Sequence, residues 1–169
     1  MTSATAAARP TRPLATDGYE KMLAAGAILL SGVVLVALVR GRSHWGEVPA
    51  LVWAHLATIA VALVLTPVML LRRRGDAPHR ALGKLWVGAM FLTAVITFWV
   101  RQSNPGHFSF IHIISLYVVV AAPMVWWTAA TRRIESHRRY VRGMVTGALL
   151  IAGFFTLPFG RMLGTWLFG

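Results

Sequence analysis

The stretch HIISLYVVVAAPMVWWTAATRRIESHR, residues 112–138, decides how this chain is read, because a second stretch repeats its plan. Residues 55–80 read HLATIAVALVLTPVMLLRRRGDAPHR. Each copy opens on a histidine, His55 or His112, and runs through apolar residues past one proline, Pro67 or Pro123. Each then meets an arginine cluster and closes on a His-Arg pair, His79-Arg80 or His137-Arg138. The two histidines are 24 residues apart in the first copy and 25 in the second. Hydrophobicity alone makes apolar runs but does not place polar residues at matching points within them. The repeat therefore marks a tandem two-helix unit.

Composition sets the solvent. Of the 169 residues, 57% are apolar and 13% charged, and the mean hydropathy is +0.64. A soluble domain carries roughly 25% charged residues. Long apolar blocks with so few charges are the signature of a polytopic membrane protein in contact with the lipid bilayer. The net charge of +12 does not point to nucleic acid, because the basic residues sit at the ends of apolar blocks rather than along one amphipathic face. The chain has no cysteine, which excludes disulfides, thiolate-bound clusters and covalently attached c-type haem. Any haem must be held without a covalent bond, by histidine or methionine.

Along the chain, residues 1–21 are rich in Ala, Thr, Arg and Pro and read as a disordered cytoplasmic tail. Residues 22–169 read as a single transmembrane helical domain. Five spans are expected, at about 22–39, 48–71, 78–100, 108–130 and 137–157. Asp76 as N-cap and Pro78 in the first turn place the start of the third span. The fold class is thus all-α: a polytopic membrane bundle of five transmembrane helices, with spans 2–5 a four-helix unit built from the repeat. Five spans put 13 of the 17 Lys and Arg residues on one side and 4 on the other. By the positive-inside rule, the N-terminus is cytoplasmic and the C-terminus outside, in a bacterial inner (plasma) membrane. All five acidic residues, Asp17, Glu20, Glu47, Asp76 and Glu135, fall in expected tails or loops. No intramembrane carboxylate is then left for a proton-coupled transporter.

Topology pairs the histidines. His55 and His112 stand near the starts of spans 2 and 4, on the outer side. His79 and His137 stand at the starts of spans 3 and 5, on the inner side. Alternate helices of a bundle face each other, so each histidine pairs with its equivalent in the other copy. Two facing imidazoles are what a b-type haem needs as axial ligands, so one or two b-type haems are expected, with the four histidines on iron. Small residues would let a porphyrin approach: Ala54 and Ala57 flank His55, Gly83 follows His79, and Gly143 and Gly147 follow His137. Arg80, Arg138, Arg139 and Arg142 are placed to hold propionates at the inner pair. The plainer reading is that a first-turn histidine is interfacial, or that a His-Arg pair meets lipid phosphate. It fits His79 and His137 taken singly; His55 and His112 are deeper, where ionisable groups usually mark function. His44 and His107 read as solvated loop residues.

The segments HRALGKLWV (79–87), FSFIHIISL (108–116), ESHRRYVRGM (135–144) and PFGRMLG (158–164) resemble the bacterial integral-membrane family known as domain of unknown function 2306. That resemblance covers roughly residues 50–165 and implies a membrane protein without assigning an activity. The histidine layout is also similar to the diheme b-type transmembrane cytochromes reduced by ascorbate, in which four histidines on four consecutive helices pair first with third and second with fourth. This chain departs from them in having five expected spans rather than six, inner histidines nearer the surface, and no ascorbate-site signature. The expected function is electron transfer across the membrane, with quinone or a small reductant as partner and a quinol- or small-reductant-linked oxidoreductase as the possible enzyme class. The alternative is a non-redox membrane protein, a small-molecule transporter or an accessory subunit. Association as a homo-oligomer or within a larger complex is compatible with either.

Overall fold

The computed structural model describes residues 15–100, 110–158 and 160–169. The described residues are all helix, turn or irregular chain, with no strand. Helix α1 is Gly18–Arg40, followed by a 3₁₀ helix, Gly41–Glu47. Then come α2 (Ala50–Leu71), α3 (Ala77–Thr97) and α4 (Phe110–Ala130). Helix α5, Ile134–Gly143, runs on into a π-helical stretch, Met144–Ile151, and closes with one α-turn, Ala152–Phe154. A short α6, Met162–Phe168, ends the chain.

Local chemistry sets the boundaries. Asp17 caps α1 by accepting from the Glu20 N–H at 3.0 Å, and Glu20 Oε2 accepts from the Asp17 N–H at 3.1 Å. This reciprocal capping box starts the helix at Gly18, inside the stretch expected to be tail. The rest of that expected tail, residues 1–14, lies outside the described residues. Asp76 caps α3 by accepting from the His79 N–H at 2.8 Å, with Pro78 in the first turn as expected. Helix α4 ends in a Schellman turn: Arg133 N–H reaches Thr128 O at 2.9 Å and Arg132 N–H reaches Ala129 O at 3.2 Å. Arg132 takes the left-handed position at φ 56°, where glycine is usual.

Four helical stretches, Gly18–Glu47, Ala50–Leu71, Ala77–Thr97 and Ile111–Ala130, are long and apolar enough to cross a membrane. The polar sequence of α5, IESHRRYVRG, sets the expected fifth span apart from these four. The helices pack as a ring. α1 lies on α2, α2 on α3, α3 on α4, α4 on α5, and the π stretch lies back on α1. The expected four-helix unit therefore does not close on itself. α1 stands between α2 and the π stretch, which touch only marginally.

Alanines bring the backbones together. Ala24, Ala27, Ala62, Ala89, Ala94, Ala121 and Ala122 are buried in one core with Leu63, Trp86, Met90, Val118, Val125 and Met144. Large apolar side chains cover the outside; Leu29 is 71% exposed and Ile113 65%. Such a surface is unfavourable in water and ordinary against lipid. Glycine matters where two elements touch. Trp166 of α6 lies on the backbone of Gly41, where a Cβ has no room. The Tyr117 hydroxyl of α4 stands 2.5 Å from the place of a Cβ on Gly143.

Candidate functional site

The four histidines fall at the two ends of the bundle. At one end His55, in the second turn of α2, points Nδ1 at Thr97 Oγ1 on α3, 3.2 Å away. Thr97 gives its own proton to the Thr93 carbonyl at 2.8 Å. The Thr97 oxygen is thereby left to accept, so His55 carries its proton on Nδ1 and presents a lone pair at Nε2. Thr93 Oγ1 donates to Thr58 Oγ1 at 2.7 Å, which ties α3 to α2 a turn further along. His112, buried at 6% exposure, stacks at a tilt against Phe98, ring centroids 6.1 Å apart. The last turn of α3, through Thr97 and Phe98, thus touches both histidines of this pair.

At the other end His137 points Nδ1 at the Val125 carbonyl of α4, 3.1 Å away. A carbonyl can only accept, so this ring too is fixed with its proton on Nδ1 and a lone pair at Nε2. His79 lies within electrostatic reach of His137, and Arg74 lies within reach of both. His79 Nδ1 is buried with no hydrogen-bond partner among the described residues. His79 and His137 thus lie within reach of one another, and His55 and His112 each adjoin the end of α3.

The arginines expected to hold propionates divide into two groups. Arg138 and Arg142 are engaged by α1. Glu20 Oε1 takes Arg138 Nε at 3.1 Å and Arg142 Nη2 at 3.1 Å, while Glu20 Oε2 pairs with Arg74. Asp17 Oδ2 takes Arg138 Nη2 at 3.2 Å and pairs with Arg142. The Glu20 side chain is 2% exposed, which corrects its expected place in a solvated tail. The physical reason is the capping box, which draws Glu20 into the first turn of α1 and under three guanidinium groups. The Glu20 N–H holds the Asp17 carboxyl below its usual range, with help from Arg142 and Arg138. Arg80 donates to the Gly75 carbonyl, and Arg139 is exposed.

The remaining expectations are placed as follows. Gly147 faces open space and Gly83 faces the Met69 methyl at 3.4 Å. His44 lines a cavity of about 650 Å³ between the 3₁₀ helix and α6, with Arg40, Glu47, Thr165 and Trp166. His107 lies outside the described residues. Among the described residues, no three His, Cys, Asp or Glu side chains gather as a metal-ion site.

Sequence reading missed Thr58, Thr93, Thr97 and Glu20. The threonines left a signal. Thr58 follows His55 by three residues, and Thr93 and Thr97 are four apart, so each set shares a helix face. Glu20 left one too, since Asp17 and Glu20 have the D-x-x-E spacing of a capping box. Comparison of the chain with family models, with curated proteins and with solved structures returns no match.

Proposed function

We propose that the chain is a membrane-embedded b-type haem protein that moves electrons across the membrane, with His55 and His112 as one axial pair and His79 and His137 as the other. One observation carries the reading: His55 and His137 each have Nδ1 held by an acceptor on a neighbouring helix, Thr97 and the Val125 carbonyl. That is how a metal-ligating imidazole is oriented, with the far nitrogen left for the metal. The five-span topology, with the N-terminus inside a bacterial plasma membrane, belongs to this proposal. So do a quinone or small-reductant partner and the likeness to diheme cytochromes.

The donor chemistry fits a haem, which when bound would supply one-electron redox chemistry. The residues of the chain fix two ring tautomers and exclude water from His112. At the inner pair they leave Arg80 and Arg139 to meet propionates while Arg138 and Arg142 serve Glu20.

A second observation favours the alternative, a non-redox transporter or accessory subunit. Leu63, Met90, Val118, Ala122, Val125 and Met144 are all nearly fully buried in one continuous core. A macrocycle would need those helices to part. The buried Glu20 also places a carboxylate inside a helix long enough to span, which a proton-handling protein can use.

The deciding measurement is a reduced-minus-oxidised visible spectrum of the whole chain, purified after expression with ample haem. The expected result is a b-type band that loses one component in His112→Ala and keeps both in His44→Ala. A protein without a haem band refutes the cytochrome reading and leaves the alternative.

A further inference from the structure

We propose that two cation–indole contacts, Lys84 on Trp126 and Arg133 on Trp127, bind the phosphates of anionic phospholipids at the arginine-rich end of α3 and α4. Lys84 Nζ stands 5.6 Å from the ring centre of Trp126, and the Arg133 guanidinium carbon stands 4.5 Å from that of Trp127. Trp126 is 50% exposed and Trp127 45%, although both lie in a helix apolar enough to span. Half-exposed indoles at a helix end sit at the level of lipid headgroups.

The two cations differ from the arginines of this end that are bound to carboxylates. Arg74, Arg138 and Arg142 are paired with Glu20 or Asp17, and Arg72 with Asp76. Lys84 and Arg133 have no carboxylate partner among the described residues. An indole face attracts a cation through its quadrupole and accepts no strong N–H bond. The N–H groups of both cations therefore remain available for phosphate oxygens.

Position supports the same partner. Lys84 lies seven residues into α3 from Ala77, about 10 Å along the axis. An ammonium at that depth must run its stem back along the apolar surface toward the headgroups, and Trp126 holds it there. Leu85 beside it is 54% exposed and offers an acyl chain an apolar wall. Arg133 is set by the left-handed turn at Arg132, which folds the chain back over Trp127. A zwitterionic headgroup fits less well. Its own ammonium would meet an uncompensated cation, and the indole face that would receive it is already covered.

The test is lipid binding by the whole chain in detergent, read by native mass spectrometry. Dioleoyl-phosphatidylglycerol is titrated against dioleoyl-phosphatidylcholine. The expected result is preferential retention of phosphatidylglycerol, reduced about thirtyfold in the double variant Lys84→Gln/Arg133→Gln. Phosphatidylcholine binding stays unchanged, and Lys84→Arg/Arg133→Lys keeps the preference. Equal binding of the two lipids, or an unaltered preference in the glutamine variant, overturns the proposal. Should the double variant lose its helical circular dichroism, Lys84→Gln alone reads the same quantity at about fivefold.

Discussion

At one end of the bundle His55 is held by Thr97 through neutral hydroxyls; at the other, His79 and His137 lie in the field of Arg74, itself clamped on Glu20. Each copy of the sequence plan thus runs from one kind of surroundings to the other. The hydroxyl end is local. Each threonine proton goes to a helix carbonyl or to the next threonine, and among the described residues these bonds join α2 and α3. The charged end is not local. It joins α1, the turn between α2 and α3, and α5 through one buried carboxylate. The cause of the difference is α1, which lies outside the repeat and brings its acidic residues to one end alone.

The comparison predicts unequal fragility. Glu20→Gln leaves three guanidinium groups short of a buried counter-charge, and removing one partner of a buried ionic set costs about 3–5 kcal/mol. Thermal unfolding in a bilayer mimic should show the largest loss of any single change named here. Asp17→Asn, at a carboxylate 45% exposed, should cost far less and keeps the cap. If the two variants unfold alike, the buried hub is not what holds this end.

A smaller effect tests the hydroxyl chemistry between α2 and α3. The Trp86 indole donates to Thr66 Oγ1 at 2.9 Å, and Thr66 passes its proton to the Ala62 carbonyl. Thr66→Val strands a buried N–H, at a cost of about 1–3 kcal/mol. Denaturant unfolding would measure it, and Thr66→Ser, which keeps the acceptor, should recover most of the loss.

Thr97→Val bears on function at the same end. Without its acceptor the His55 ring is no longer held, and, on the proposed haem reading, affinity at that pair should fall about tenfold. The component assigned to His79 and His137 should stay unchanged. Haem titration followed by difference spectroscopy separates the two, and an equal loss of both components would break the distinction between the ends.

The smallest effect is on pH dependence. Asp17 and Asp76 both have carboxyls held below their ordinary value of 3.8, chiefly by the N–H groups of Glu20 and His79. A carboxyl whose folded value is depressed contributes stability above its unfolded value and loses it as pH falls through the folded one. The cap contribution should therefore be complete at pH 5 and above and fade below about pH 4. Unfolding midpoints of Asp76→Ala and the parent should differ at pH 6 and converge on acidification.

Much of the architecture was legible in the residues. Charge-free runs of about 20 residues fit a bilayer, and Asp76 with Pro78 marked the start of α3. His79 lies within electrostatic reach of His137, as an up-and-down path of helices would place them. Glu20 was misplaced because a carboxylate beside a disordered-looking tail reads as solvated. Only packing shows that three arginines, 54 to 122 residues away in sequence, close over it.

The sequence by itself determined four apolar helices of spanning length, the start of α3 and the repeat, because those depend on hydrophobic length, turn chemistry and capping, all local in the chain. The tertiary structure alone decided three things: that α1 enters the ring between α2 and the π stretch, that Thr97 orients His55, and that Arg138 and Arg142 serve Glu20. Those depend on which faces meet, and in a membrane protein apolar on every side, hydropathy does not tell one face from another. Close packing at alanine and a few polar contacts settle that choice.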